Sequence, residues 1–263
     1  MTDPAALILN LATVDHWDLS EAVERCTAAE IGWLAPWRHH LAKTGAEASA
    51  RAIRDAGLAV SSLCRGGFFT APGADEDNRR AVEEAATIGA PVLVLVCGPP
   101  VAGDLPGART AIAAGIERLI PHAADHGVRL AIEPLHPMMV GERSAIVTLG
   151  EALELARSYA SPHVGVAVDA YHVFWDPQLE PLLASAHGLI AAYHVCDWLV
   201  PTTNLLAGRG LMGDGIIDLP RLTGLVAAAG YAGPIEVEVI NPALAEVPGD
   251  ELVADIKDRF ARL

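Results

Sequence analysis

Four residues stand where chemistry is feasible. Glu133 closes the run "RLAIE", Asp169 closes "VGVAVD", His194 lies in "IAAYHVCD" and Glu238 in "IEVEVIN", each after small apolar residues. Taken singly, a carboxylate at the end of an apolar run reads as a turn residue, a cap or half of a salt bridge. Taken together, three inward-facing carboxylates at low dielectric repel one another, and they require protonation or a cation. The same runs hold few basic residues that would neutralise them. A divalent metal meets the requirement. Three carboxylates and one imidazole form a mostly hard, oxygen-rich set that suits Mn2+ best, with Mg2+, Co2+ or Zn2+ as alternatives. Four protein ligands leave two octahedral positions for substrate oxygens, the geometry for chelating a carbonyl and its neighbouring hydroxyl.

These residues act together only if the fold brings them to one place. Eight short apolar runs recur, over residues 6–12, 30–36, 59–64, 91–97, 129–135, 164–169, 190–197 and 235–241. Helical periodicity fills the intervals, as in "LSEAVERCTAA", "EASARAIRDAG" and "EDNRRAVEEAATIG". Several of these stretches start near Asp, Ser or Thr, and several stop at glycine (Gly57, Gly89, Gly127, Gly230). Strand–helix alternation implies a parallel sheet, and eight repeats imply closure into a single (β/α)8 TIM barrel over residues 1–263. An open doubly wound sheet would carry a glycine-rich turn after its first strand. "NLATVDHWD" has none, so no nucleotide cofactor is expected. Glu133, Asp169, His194 and Glu238 then end four consecutive strands at the C-terminal rim, where active sites of this fold lie. Two further loops belong to that rim: "LCRGGFFTAPG" and a long, lid-like loop over residues 198–217.

Bulk properties narrow the partners. The 263 residues are 52% hydrophobic but only 5% aromatic, a composition suited to buried parallel strands and alanine-rich helices. A net charge of −15 repels phosphate backbones and anionic membranes, so nucleic acid and membrane are both excluded as expected partners. Cys26, Cys64, Cys97 and Cys196 form no CxxC pair and read as reduced, buried residues of a cytoplasmic protein. The start of the chain has no basic segment ahead of its short apolar run. It reads as neither a signal peptide nor a membrane span.

The segments "AIEPLHP", "VAVDAYH", "YHVCDW" and "MGDGIIDLPRLTGLVAAAGYAGPIEVEV" resemble the sugar phosphate isomerase/epimerase group of xylose-isomerase-like TIM barrels. The likeness covers about residues 75–241 and is weaker over the first three strands. It implies Glu133, Asp169, His194 and Glu238 as metal ligands, and matches Gly213, Gly215 and Asp218 to a GxGxxD segment. It also implies that Glu133 and Glu238 act as acid and base on opposite faces of a sugar, through a metal-stabilised enediolate. The apurinic endonucleases of the same superfamily add histidines from strands three and four. Here those strands end in Cys64-Arg65 and Cys97-Gly98.

Around this centre the resemblance favours His172 as a contact to a substrate oxygen, over the competing reading of a structural partner of Asp169. His136 reads as an additional base, a hydroxyl donor or a plain loop histidine. Asp197 reads as orienting a ligand or capping the lid. The family's arginine shortly after the strand-seven histidine is missing from "CDWLVPT", leaving Arg209 or Arg65 as replacements. Trp17, Trp37, Trp175 and Trp198 lie just beyond strand ends, where an indole can stack on a sugar or cyclitol ring. The rim offers few cations, so an unphosphorylated substrate is expected. Three functions follow: an isomerase or epimerase of a sugar, oxidised sugar or keto-inositol; a lyase or dehydratase on a 3-oxo-glycoside or keto-inositol; or a non-catalytic sugar-binding barrel. The long loop covers its own site or reaches a neighbouring subunit, so a homo-oligomer is compatible with the sequence.

Overall fold

The computed structural model describes residues 3–263. Its parallel strands are β1 (Leu7–Asn10), β2 (Trp33–Ala35), β3 (Ala59–Val60), β4 (Leu63–Gly67), β5 (Val92–Val96), β6 (Arg129–Glu133), β7 (Val164–Asp169) and β8 (Ile190–Val195). A short antiparallel pair, β9 (Asp197–Trp198) and β10 (Arg209–Gly210), precedes the last barrel strand, β11 (Ile235–Val237). The sheet runs in the order β3-β2-β1-β11-β8-β7-β6-β5-β4. Its two edge strands, β3 and β4, are consecutive in the chain, so the ring closes through Ser61 and Ser62.

Eight runs were expected to give eight strands, and the third departs from this. Its two halves pair with different neighbours, β3 with β2 and β4 with β5. The bend between them is held by side chains, because Ser61 and Ser62 both donate their hydroxyls to Glu236 across the barrel. The strand also continues to Gly67, so Arg65 lies within it, at a register shift between Cys64 and Gly66.

A helix follows each barrel strand: Leu19–Ala28, Ala46–Asp55, Ala74–Ile88, Leu105–Asp125, Leu149–Ser158, Leu179–Ala184, Leu219–Ala228 and Gly249–Phe260. Asp18, Thr148 and Asp218 cap helix starts by accepting from backbone amides. The stops expected at Gly57, Gly89, Gly127 and Gly230 all have positive φ (75°, 75°, 68° and 89°). Helices cover the outer face of the sheet and closure of the barrel covers the inner one, which explains why β5 and β7 are buried along their whole length and apolar apart from Asp169.

Inside the barrel the side chains alternate with period two. Ala131, Ala167 and Ala192 pack with Cys64, Val92 and Val94 in an inner cluster distinct from the main core. Each alanine lies two residues before Glu133, Asp169 or His194. The small layer beneath therefore puts those three polar side chains on the inward face at the mouth.

Candidate metal centre and active site

Glu133 and Asp169 end β6 and β7, His194 is the next-to-last residue of β8, and Glu238 follows β11, its amide donating to Val195 to extend the ladder. One ligand atom from each of the four lies within 4.8 Å of all the others, and all four side chains are buried. Their partners are unequal. Asp169 Oδ1 accepts from the Tyr171 amide at 2.9 Å, starting the short helix Ala170–Val173. Glu238 Oε1 accepts from Asn10 Nδ2 at 3.0 Å. Among the described residues, Glu133 Oε1 and both ring nitrogens of His194 have no hydrogen-bond partner.

The electrostatics show the same shortage. Burial pushes the Glu133 carboxyl up to about 7, with the charges of Glu238 and Asp169 adding to the rise and His194 opposing it. Burial alone would push the His194 imidazole down. Glu236, Glu133 and Glu238 outweigh it, and the ring is held well above its usual value. A buried Glu133 whose carboxyl is pushed up, beside a buried imidazole that attracts a proton, marks a site short of positive charge. Orphaned donor atoms of a hard, oxygen-rich set fit a divalent cation there.

Arg209 supplies part of that charge. It comes from the loop over residues 198–217 and is 2% exposed. Its Nη1 donates to Asp169 Oδ2 at 3.0 Å and Glu238 Oε2 at 2.9 Å, and the guanidinium lies 4.6 Å over the Tyr171 ring. Neutralisation of the carboxylates by a basic side chain, which the strand runs did not suggest, thus comes from a loop fifteen residues past His194. Among the described residues, Glu133 and Glu236 have no cationic side chain other than His194 within ion-pair reach.

The chain matches the family model for the xylose isomerase-like TIM barrel over residues 21–262. It belongs to that family. Protein SMc04130 from Sinorhizobium meliloti 1021 has a crystal structure that superposes with a TM-score of 0.95 at 43% identity, covering 99% of this chain and 98% of that one. The IOLI protein with a bound zinc atom superposes at a TM-score of 0.84 and 19% identity, over 97% and 96% of the two chains. D-psicose 3-epimerase with D-fructose gives 0.77 at 13% identity, over 97% of each. Among curated proteins, an inosose isomerase from Halalkalibacterium halodurans is 23% identical over 140 residues, 52% of this chain and 48% of that protein. The match thus spans about half the length of that relative.

In this xylose isomerase-like barrel the residues expected around the centre fall into two groups. His172, His136 and Trp175 form one connected unit. His172 Nε2 lies 3.5 Å from Asp169 Oδ2, and its Nδ1 accepts from the His136 amide. Trp175 Nε1 donates to the His172 carbonyl, and the His136 ring sits between Trp175 (5.7 Å) and Trp198 (4.9 Å). Trp37 joins from across the mouth, its Nε1 donating to Asn10 Oδ1. Trp17 does not join. Arg25 lies 4.9 Å over its ring, and a Cβ on Gly249 would come within 2.8 Å of it. The C-terminal helix therefore covers this indole, which leaves no face on which a substrate can stack.

Asp197 caps the loop. Its carboxylate accepts from the amides of Trp198, Gly213 and Ile217, and a Cβ on Gly215 would lie 2.6 Å from it. That explains the GxGxxD segment physically: two glycines fold around a buried carboxylate, and Asp218 caps the next helix. Sequence reasoning missed Asn10 and Glu236, while Trp198 lies where the strand-end tryptophans were expected. Glu236 was legible in principle, since it lies two residues before Glu238 and period two puts both on one face. It accepts from Asn10 at 2.6 Å. Among the described residues no helix is long and apolar enough to cross a membrane.

Proposed function

We propose that this barrel is a divalent-metal-dependent isomerase or epimerase of a sugar, oxidised sugar or keto-inositol. The observation that carries the reading is the buried ring of Glu133, Asp169, His194 and Glu238, in which Glu133 Oε1 and the His194 nitrogens make no hydrogen bond among the described residues. These four residues would hold the cation, and the donor set favours Mn2+. Once bound, the cation would supply Lewis acidity towards a carbonyl and its neighbouring hydroxyl.

The chain's own residues supply the proton traffic. Glu133 and Glu238 end the two outer strands of the four-strand arc, so they approach a substrate from opposite sides. One takes the proton from the carbon next to the carbonyl, and the other returns a proton. His172 and Arg209 orient the developing charge. Because His172 Nδ1 accepts from a backbone amide, its proton resides on Nε2. Arg209 Nη2, 3.3 Å from that nitrogen, is also a donor. A substrate oxygen placed between them accepts from both. Trp175 and Trp198 flank the His136 ring and offer apolar faces for ring C–H groups. We take residues 1–263 as one domain with the 198–217 loop over the site, and the four free, buried cysteines suit the cytoplasm.

The reading is tested by incubating Mn2+-loaded enzyme with 3-oxo-glucose, keto-inositol and free ketoses in D2O. Deuterium next to the carbonyl with an intact skeleton is expected. Loss of water or an aglycone would assign a lyase instead, and binding without exchange would assign a sugar-binding barrel.

A further inference from the structure

Across the mouth from the carboxylates lies a cavity of about 350 Å3, lined by Trp37, Cys64, Asp77 and three arginines, Arg38, Arg65 and Arg143. It adjoins the proposed centre. Trp37 donates to Asn10 and Asn10 to Glu238, while Cys64 packs on the alanines beneath Glu133, Asp169 and His194.

The three guanidiniums are not equivalent. Arg38 is committed, holding Asp77 through both Nη atoms and Glu84 through Nε. Asp77 is further occupied by Arg80. Arg65 and Arg143 have neither an ion pair nor a side-chain hydrogen bond among the described residues. Arg143 Nε is buried without a partner, and the Arg65 guanidinium lies 4.0 Å over the Phe68 ring. Arg65 is the residue at the β4 register shift, the kind of irregularity that re-aims a side chain beside a site. Burial lowers its pKa, and the charges of Arg143 and Arg38 lower it further. Three guanidiniums against one carboxylate leave the lining at a formal +2, in a chain whose net charge is −15. With 33 acidic residues available to 18 basic ones, two half-buried arginines left unpaired at one cavity call for an anion from outside.

We propose that Arg65 and Arg143 bind an anionic group of the substrate, a carboxylate or a phosphate, while its carbonyl end faces Glu133, Asp169, His194 and Glu238. This rests on the isomerase or epimerase reading for the carbonyl end only. A carboxylate agrees with the expectation of an unphosphorylated substrate and a phosphate does not; in either case the cations that the strand ends lacked come from the β4 bulge and the loop after β6.

Binding of D-glucuronate, glucose 6-phosphate and glucose is to be measured by calorimetry on the Mn2+-loaded protein at low and high salt. One charged sugar is expected to bind at least about tenfold tighter than glucose, with the preference shrinking in salt. Which of the two binds tighter separates carboxylate from phosphate. Arg143→Gln and Arg65→Gln should each remove about tenfold of the preference, and Arg65→Lys should keep part of it. Circular dichroism melting checks that each variant folds. Equal affinity for all three sugars, an unchanged preference in both Gln variants, or no binding of either charged sugar would overturn the proposal. Anion preference without deuterium exchange would defeat the proposed reaction but not this site. Exchange on neutral ketoses without anion preference would do the reverse.

Discussion

Where β6, β7, β8 and β11 end, the barrel mouth presents three carboxylates and an imidazole; on the side of β2 and β4 it presents Arg65 from the β4 bulge and Arg143 from the loop after β6. The two arcs differ in charge and also in construction. The acidic residues sit on or directly after strands whose mouth ends are in register with their neighbours, as Asp169 is with His194, the one irregularity of that ladder lying deeper, at Val166 and Ala167. The arginines sit on a bulge and a loop. A rigid ladder holds the groups that must keep fixed distances for chemistry, while irregular backbone carries those that select a ligand. Arg209 bridges the two designs, being a loop residue locked into the acidic arc by two ion pairs.

Perturbing the acidic arc should have the largest effect. Glu238→Gln that still binds Mn2+ is expected to lose about 10²–10⁴ in turnover, measured as deuterium exchange rate. Retention of most turnover would remove Glu238 from the proton path. Arg209→Met leaves Asp169 and Glu238 as buried, uncompensated charges and should cost about 3–5 kcal/mol in denaturant unfolding of the metal-free protein. A smaller loss in Mn2+ would show that a cation substitutes for the guanidinium. Mn2+ at about 100 times its Kd should itself raise the unfolding free energy by about 2.7 kcal/mol. Asp169→Asn should diminish that gain, and a chelator should abolish it.

The basic arc should respond more weakly and to pH. His40, whose Nδ1 accepts from the Trp37 amide, is pushed down to about 4 by burial, with His39 adding to the effect. Between about 4 and 6.5 the unfolded chain therefore binds more protons than the folded one. Stability should fall as pH drops through that window, and His40→Gln should flatten the slope measured by urea unfolding at stepped pH.

Much of this was legible in the residues. Eight apolar runs with glycine stops specify a parallel barrel, because the burial of both sheet faces and the end of each helix are local requirements. The positions of Glu133, Asp169, His194 and Glu238 at strand ends follow from that pattern, and their shared inward face follows from period two. What was not legible depends on groups distant in the chain. The split of the third strand depends on Ser61 and Ser62 meeting Glu236, about 175 residues away. Trp17 is covered by the C-terminal helix, and Arg209 is seated by Asp197 folding the loop and by Asn241 holding its carbonyl. The sequence by itself determined which strand ends carry acids, since periodicity is a property of neighbours. Only the tertiary structure decided which cations meet those acids and which remain unpaired at the cavity, since charge pairing depends on distances that loops set once the barrel has closed.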